Sequence, residues 1–216
     1  MGKPNRIWIY TGGQLGAWAA SLPAPGDLLI GADRGALFLI QHGLIPDLAL
    51  GDFDSITEQE RALVEQTAVT TEQFDPVMKD YSDTELAFLR AAQMAPAEIH
   101  IVGALGTRFD HSLANVHLLR KALALDIPCR IIDEYNMIQL TDDELSISNP
   151  DGRFTYVSLL PLSTTVNGVT LEGFQYPLHD ATLEIGQSLA VSNALRAPIG
   201  RIRISNGLLL VIQSRD

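Results

Sequence analysis

Asp52 and Asp54 stand one residue apart behind the apolar run Leu48-Ala49-Leu50 and a glycine, Gly51. The run reads as a buried strand that breaks at the glycine. Ser55 or Thr57 is placed to cap a helix starting near Glu58. Both carboxylates then lie just beyond the carboxyl end of a central strand, where open α/β sheets bind their ligands. If the chain is still extended there, alternation points the two side chains the same way. Carboxylates held together repel unless a cation sits between them or one takes a proton. Mg2+ is the natural cation for two hard oxygen ligands plus a substrate phosphate. Taken alone, the stretch has a plainer reading: one aspartate caps the helix and the other is solvated.

The elements that would position this pair repeat its pattern. Arg6–Tyr10 is a first strand running into Thr11-Gly12-Gly13 and a helix around residues 15–20. A strand, tight glycines and a helix start suit a phosphate. Leu28–Ala32 is a second strand ending in Asp33, followed by Arg34 and a helix that His42 and Gly43 close. After a helix near 58–66 and a strand near 68–74, Asp80 and Asp83 stand at the next turn into a helix. Glu98–Val102 is a strand that leads through Gly103 and Gly106 to Arg108, Asp110 and His111. A helix follows, with Leu113, Val116, Leu119 and Leu123 on one face. His111 and Asn115 lie one turn apart on it, and glycines, an arginine and a helix start together suit an anion. Strands alternating with helices up to about Asp133 predict a doubly wound, mostly parallel α/β sheet. Acidic strand ends and glycine turns then collect on one edge of it, which points to a metal–nucleotide site.

Beyond about Thr141 the rhythm changes to short β-like runs: 145–148, 154–160, 166–171, 182–185, 189–192, 201–205 and 208–213. Asn149-Pro150-Asp151-Gly152 is a turn signal, and Asn206-Gly207 one of hairpin type. The expected organisation is an α/β domain over residues 1–141 and a small all-β sandwich over 142–216. The sandwich is small for an independent core.

With 15 basic and 26 acidic residues the formal charge is −11, which argues against a general nucleic-acid binder or an anionic-membrane binder. Nucleotides stay open, because a metal and backbone N–H groups hold phosphates without a basic surface. Cys129 is the single cysteine and falls in a strand-like run, so a buried inert thiol is expected. No signal-peptide core and no long apolar run is present, and a cytoplasmic protein is the expectation.

The motifs form an ordered set: Gly31-Ala32-Asp33-Arg34-Gly35-Ala36, Pro46-Asp47, Gly51-Asp52-Phe53-Asp54-Ser55, and Lys79-Asp80-Tyr81-Ser82-Asp83-Thr84-Glu85. Arg108-Phe109-Asp110-His111 with Asn115, Gly173–Leu178 and Val191-Ser192-Asn193 complete it. Across nearly the whole chain the set resembles thiamine pyrophosphokinase of the bacterial type. The resemblance implies an α/β half and a β-sandwich half, and a homodimer with active sites in clefts between subunits. It implies transfer of a diphosphoryl group from ATP to the hydroxyethyl of thiamine, giving thiamine diphosphate and AMP, with Mg2+. By motif, Asp33, Asp52, Asp54, Asp80 and Asp83 would be the metal and substrate acids, with Asp52, Asp54 and Asp80 as metal ligands. Thr11, Gly12, Gly13, Arg34, Gly106, Arg108, Asp110, His111 and Asn115 would form the ATP site. Ser192 and Asn193 would line the thiamine pocket. Two positions depart from the family pattern. Gly106-Thr107-Arg108 stands where paired glycines usually precede the arginine, and Trp8 and Trp18 are both early, where some members stack thiamine on a late tryptophan. The alternatives are a pyrophosphokinase acting on another alcohol, such as a pterin, and a nucleotide-binding regulatory module without turnover.

Overall fold

The structure is a computed structural model that describes residues 4–74 and 81–216. The chain divides into two compact units, Met1–Glu134 and Tyr135–Asp216.

The first unit is built on parallel strands β1 (Arg6–Tyr10), β2 (Leu28–Ala32), β3 (Leu48–Gly51), β4 (Thr70–Gln73), β5 (Glu98–Val102) and β6 (Cys129–Ile132). They lie in the order β4-β3-β2-β1-β5-β6, every neighbour parallel. Ile7, Ile9, Ile30, Ile99, Ile101 and Ile131 are fully buried, as strands covered on both faces require. The helices are α1 (Ala17–Ala20), α2 (Arg34–Gln41), α3 (Glu58–Thr67), α4 (Asp83–Gln93) and α5 (Phe109–Ala124). Thr57 caps α3 in a reciprocal capping box with Glu60, so the second of the two expected caps is the one used. Ser82 caps α4 by accepting from the Glu85 N–H. His42 closes α2, as expected. On α5 the buried residues are Leu118, Leu119 and Ala122. Leu113, expected on the buried stripe, is 41% exposed.

The second unit holds β7 (Asn136–Thr141), β8 (Glu144–Ser148), β9 (Tyr156–Pro161), β10 (Thr165–Glu172), β11 (Leu178–Glu184), β12 (Ile199–Arg203) and β13 (Leu209–Ser214). Antiparallel pairing gives the arrays β7-β13-β9 and β11-β10-β12-β8. Val157, Leu159, Leu209 and Val211 from the first array share a core with Ile147, Val166, Leu171 and Ile202 from the second. That is a sandwich.

Three sequence expectations are corrected here. The boundary falls at 134/135 rather than 141/142, because β7 pairs along its whole length with β13. Asn206-Gly207 does not close a hairpin, because β12 pairs with β10 and β8 whereas β13 pairs with β7 and β9. Residues 189–192 form no strand; Ala190 is buried and its carbonyl accepts the Leu159 N–H, while Ser192 adopts φ 58°.

Candidate functional site

The strand order of the first unit reverses at β1 and β5, which run side by side although three strands separate them in sequence. Loops leaving such a pair diverge and leave a crevice at the carboxyl edge. Here they are Thr11–Gly13 after β1 and Gly103–Gly106 after β5. They lock together: the Thr11 and Gly13 N–H groups donate to the Val102 and Gly103 carbonyls, and Gln14 N–H donates to Leu105, all at 2.9 Å. The buried Thr11 hydroxyl donates to the Gly103 carbonyl at 2.6 Å. A cavity of about 370 Å³ opens above these loops. Thr11, Gly12, Gly13, Asp33, Arg34 and Asp83 reach it from one side, and Gly106, Arg108, His111 and Asn115 from the other. The structure therefore brings together ten of the residues singled out by sequence. It adds Ser55, Ser82 and Ser112, which sequence reasoning passed over or read only as a helix cap.

The acidic group beside the cavity is assembled differently from the extended-strand expectation. Strand β3 ends at Gly51, and Phe53 turns into the left-handed region with φ 57°. Its ring is 3% exposed and packs in a cluster with Ala36, Leu37, Ala49 and Val64. Phe53 anchors the loop in the core and leaves the aspartates on either side facing outward. The Asp54 N–H donates to Asp52 Oδ1 at 3.2 Å, closing a local turn. Asp33, at the end of β2, also has positive φ, 53°, and its N–H donates to the Leu50 carbonyl at 2.8 Å. Carboxylate oxygens of Asp33, Asp52 and Asp54 consequently lie within 4.8 Å of one another.

Asp33 is the most constrained of the three. Its Oδ2 accepts the Ser55 hydroxyl at 2.5 Å. Its Oδ1 is buried and has no hydrogen-bond partner among the described residues. Burial holds its carboxyl above the usual range; the Ser55 hydrogen bond opposes that, and the charges of Asp83, Asp52 and Asp54 add to it. A cation between the carboxylates removes both penalties. Among the expected metal ligands, Asp80 lies outside the described residues. Asp33, expected as part of the acidic group, takes a position that matches Asp52 and Asp54.

The opposite wall is the start of α5. The Arg108 guanidinium donates to Asp110 through Nε at 3.3 Å and Nη2 at 2.5 Å. Each holds the other's charge: the Asp110 hydrogen bond raises the Arg108 pKa, and Arg108 lowers that of Asp110. Both side chains are mainly in solvent, 69% and 64% exposed, so the pair is weak and the guanidinium can exchange Asp110 for another anion. Asn115, expected as a nucleotide contact, donates its amide to the Ala104 carbonyl at 2.7 Å. Ser112 Oγ accepts from the Gly106 N–H and donates to the Arg108 carbonyl, both at 3.1 Å. These two side chains hold the glycine loop against the helix. Ser112 lies one turn from Arg108, and that spacing was the signal that could have found it.

Ser192 and Asn193 belong to the second unit. Asn193 is 3% exposed. Its Oδ1 accepts from the Tyr176 and Ala194 N–H groups at 3.0 and 2.9 Å, and its Nδ2 donates to the Tyr176 carbonyl at 2.8 Å. The side chain pins the Gln175-Tyr176 turn. Ser192 is exposed, and its N–H donates to Ser158 Oγ at 3.0 Å.

Residues 20–131 match the family model for the thiamin pyrophosphokinase catalytic domain, and residues 143–209 match that for the thiamin pyrophosphokinase vitamin B1 binding domain. Thiamine pyrophosphokinase of Bacillus subtilis is 38% identical over 190 residues, which cover 88% of this chain and 88% of that one. The crystal structure of the Bacillus subtilis thiamine pyrophosphokinase superposes with a TM-score of 0.90 at 36% identity, covering 98% of this chain and 99% of that one. That of thiamin pyrophosphokinase from Geobacillus thermodenitrificans gives 0.88 at 32% identity and covers 98% of each chain.

Proposed function

The chain belongs to the thiamine pyrophosphokinase family, and we propose that the crevice between β1 and β5, with the acidic group beside it, is where its reaction takes place. The reaction transfers a diphosphoryl group from ATP to thiamine, giving thiamine diphosphate and AMP. The thiamine hydroxyl oxygen bonds to the β-phosphorus of ATP, the bond from that phosphorus to the α-phosphate oxygen breaks, and the hydroxyl proton is lost. Such a transfer needs in-line positioning and charge neutralisation more than covalent help.

The glycine loops supply backbone close to the phosphates, and Arg108 adds a guanidinium that can bridge two phosphate oxygens. The donor set suits Mg2+: hard carboxylate oxygens within 4.8 Å of one another, one of them buried without a hydrogen bond. Asp33, Asp52 and Asp54 would hold it, and Mg2+ bound there would neutralise charge on the transferring phosphates. The observation that carries this reading is the group of Asp33, Asp52 and Asp54 carboxylates within 4.8 Å of one another beside a glycine-lined cavity, with Asp33 Oδ1 buried and without a hydrogen bond among the described residues. An acidic site also favours a cationic thiazolium, and the match of residues 143–209 supports thiamine over another alcohol.

We further propose a homodimer in the cytoplasm, where ATP is available. Phe109 and Leu113, one turn apart on α5, are 75% and 41% exposed, and a second copy would cover such a stripe. No helix among the described residues is long and apolar enough to cross a membrane. Incubation with ATP, Mg2+ and thiamine is expected to release AMP and form thiamine diphosphate, with no AMP when thiamine is left out. Thiamine monophosphate with ADP as the main products would overturn the reading, because attack would then fall on the γ-phosphorus.

A further inference from the structure

Ser55 lies on the loop that carries Asp52 and Asp54, but its hydroxyl reaches across to a different strand end. It donates to Asp33 Oδ2 at 2.5 Å, a short hydrogen bond of the charge-assisted kind. The terminal torsion of an aspartate is soft, so its two oxygens exchange places easily when nothing distinguishes them. Here they are distinguished: Oδ2 is taken by Ser55, and Oδ1 is buried without a partner among the described residues. The backbone is fixed as well. Asp33 has positive φ, its N–H is held by the Leu50 carbonyl, and its own carbonyl accepts from Ala36 at the start of α2. With backbone and side-chain rotation both set, the loop after β3 and the end of β2 are tied at the point where their carboxylates meet.

We propose that Ser55 is a positioning residue of this site: its hydroxyl, donated to Asp33 Oδ2, fixes the Asp33 carboxylate beside those of Asp52 and Asp54 and so sets the affinity for a divalent cation before any nucleotide arrives. The proposal rests on the reading of the acidic group as a metal site. Ser55 acts through Asp33 and does not itself bind the cation. A hydrogen bond that aims a ligand carboxylate is worth roughly 10–100-fold in metal affinity.

The test is a titration with Mn2+ alone, followed by electron paramagnetic resonance of the free ion, on the full chain without nucleotide. Ser55→Ala and Ser55→Cys should each weaken Mn2+ binding roughly tenfold or more, and Ser55→Thr should restore it, since it keeps the hydroxyl. Thermal melts of the metal-free variants should stay close to the parent, which separates positioning from folding. Two variants lacking a strong donor guard against one failing to fold. Unchanged Mn2+ affinity in Ser55→Ala and Ser55→Cys, with binding lost in Asp33→Asn and Asp52→Asn, would overturn the role of Ser55 and leave the metal site standing. If the parent binds no Mn2+, or if Asp33→Asn and Asp52→Asn bind it as the parent does, the metal reading falls and the Ser55 role with it.

Discussion

Gly13 and Gly103 meet backbone to backbone: the Gly13 N–H donates to the Gly103 carbonyl, and a Cβ on Gly13 would stand 2.2 Å from that same oxygen. The two glycine turns that look like separate phosphate loops in the sequence are thus one structure, and the contact between them is the floor of the cavity. Gly13→Ala must push the loops apart. The expected cost is about 1–3 kcal/mol, as for other overpacked sites, together with weakened ATP binding. Urea unfolding and a nucleotide-binding titration measure the two effects. Gly12→Ala is the control for the unfolding measurement alone, since the atom nearest its added Cβ is the Arg34 Cβ at 3.7 Å.

Asp52→Asn and Asp54→Asn should cost far more in turnover than in stability. Each removes a proposed metal ligand and part of a like-charge repulsion at the same time. Turnover should fall by at least the roughly 10–100-fold typical of losing a mere outer-shell partner. Melting temperatures should hold or rise. A melt that collapses while activity per folded molecule stays normal would make these residues structural.

Arg108→Lys should lower kcat/KM for ATP by about tenfold or more, because an ammonium cannot reproduce the planar fork of a guanidinium. Asp110→Asn frees the guanidinium from its present acceptor and should lower KM for ATP instead. Steady-state kinetics at fixed thiamine compare the two. An unchanged ATP dependence in Arg108→Lys would remove Arg108 from the site.

Asn193→Ala should unfold the 175–194 turn region rather than simply remove a substrate contact. Two partly buried N–H groups and a carbonyl lose their partner, and each costs up to the roughly 1–3 kcal/mol of a fully buried unsatisfied group. A lowered melting temperature with a parallel loss of activity is expected. Ser192→Ala, which removes an exposed hydroxyl, should leave the melt unchanged and show by KM for thiamine whether that hydroxyl touches substrate.

His100 should make stability fall in mild acid. It is buried beneath Trp8, with Glu98, Arg130 and Arg6 around it, and burial pushes its pKa down to about 4 from 6.5. Glu98 opposes that shift and Arg130 adds to it. The unfolded chain therefore takes up this proton before the folded one does. Stability is intact above about pH 6.5 and declines as pH drops towards about 4, by at most roughly 3 kcal/mol from this group. Asp33 acts with the opposite sign, since its pKa is raised in the fold. Denaturant melts across this window should show a shallower slope for His100→Phe than for the parent.

Legibility in the sequence followed locality. The parallel half was readable because the apolar runs of β1, β2, β3 and β5 are each closed within two residues by a glycine or an acid, and a helix lies next in the chain. The register of the sandwich was not, because partners such as Ile138 and Ile212 are remote in sequence. Asn206-Gly207 supplies a tight turn whichever sheet the next strand joins. At the site, Asp33, Asp52 and Asp54 were readable as acids at strand ends. Phe53 was not recognisable as the anchor that aims two of them, since an aromatic residue between aspartates looks the same exposed or buried. Ser55 looked like a helix cap, which is a contact within its own loop; its bond to Asp33 crosses between strands. Asn193 was readable as important; its hydrogen bonds to the Tyr176 backbone were not, because they join two loops apart in sequence.

Strand β13 is the last strand along the chain and yet lies between β7 and β9. A ribosome therefore delivers every other strand of the sandwich before the one that joins this array, and until residues 209–214 emerge, β7 and β9 have no partner between them. Unpaired strand edges recruit other chains. A reading-frame error shortly before Leu209 should thus appear in a cell as aggregated polypeptide rather than as a slow enzyme, although it spares every acid and glycine of the crevice.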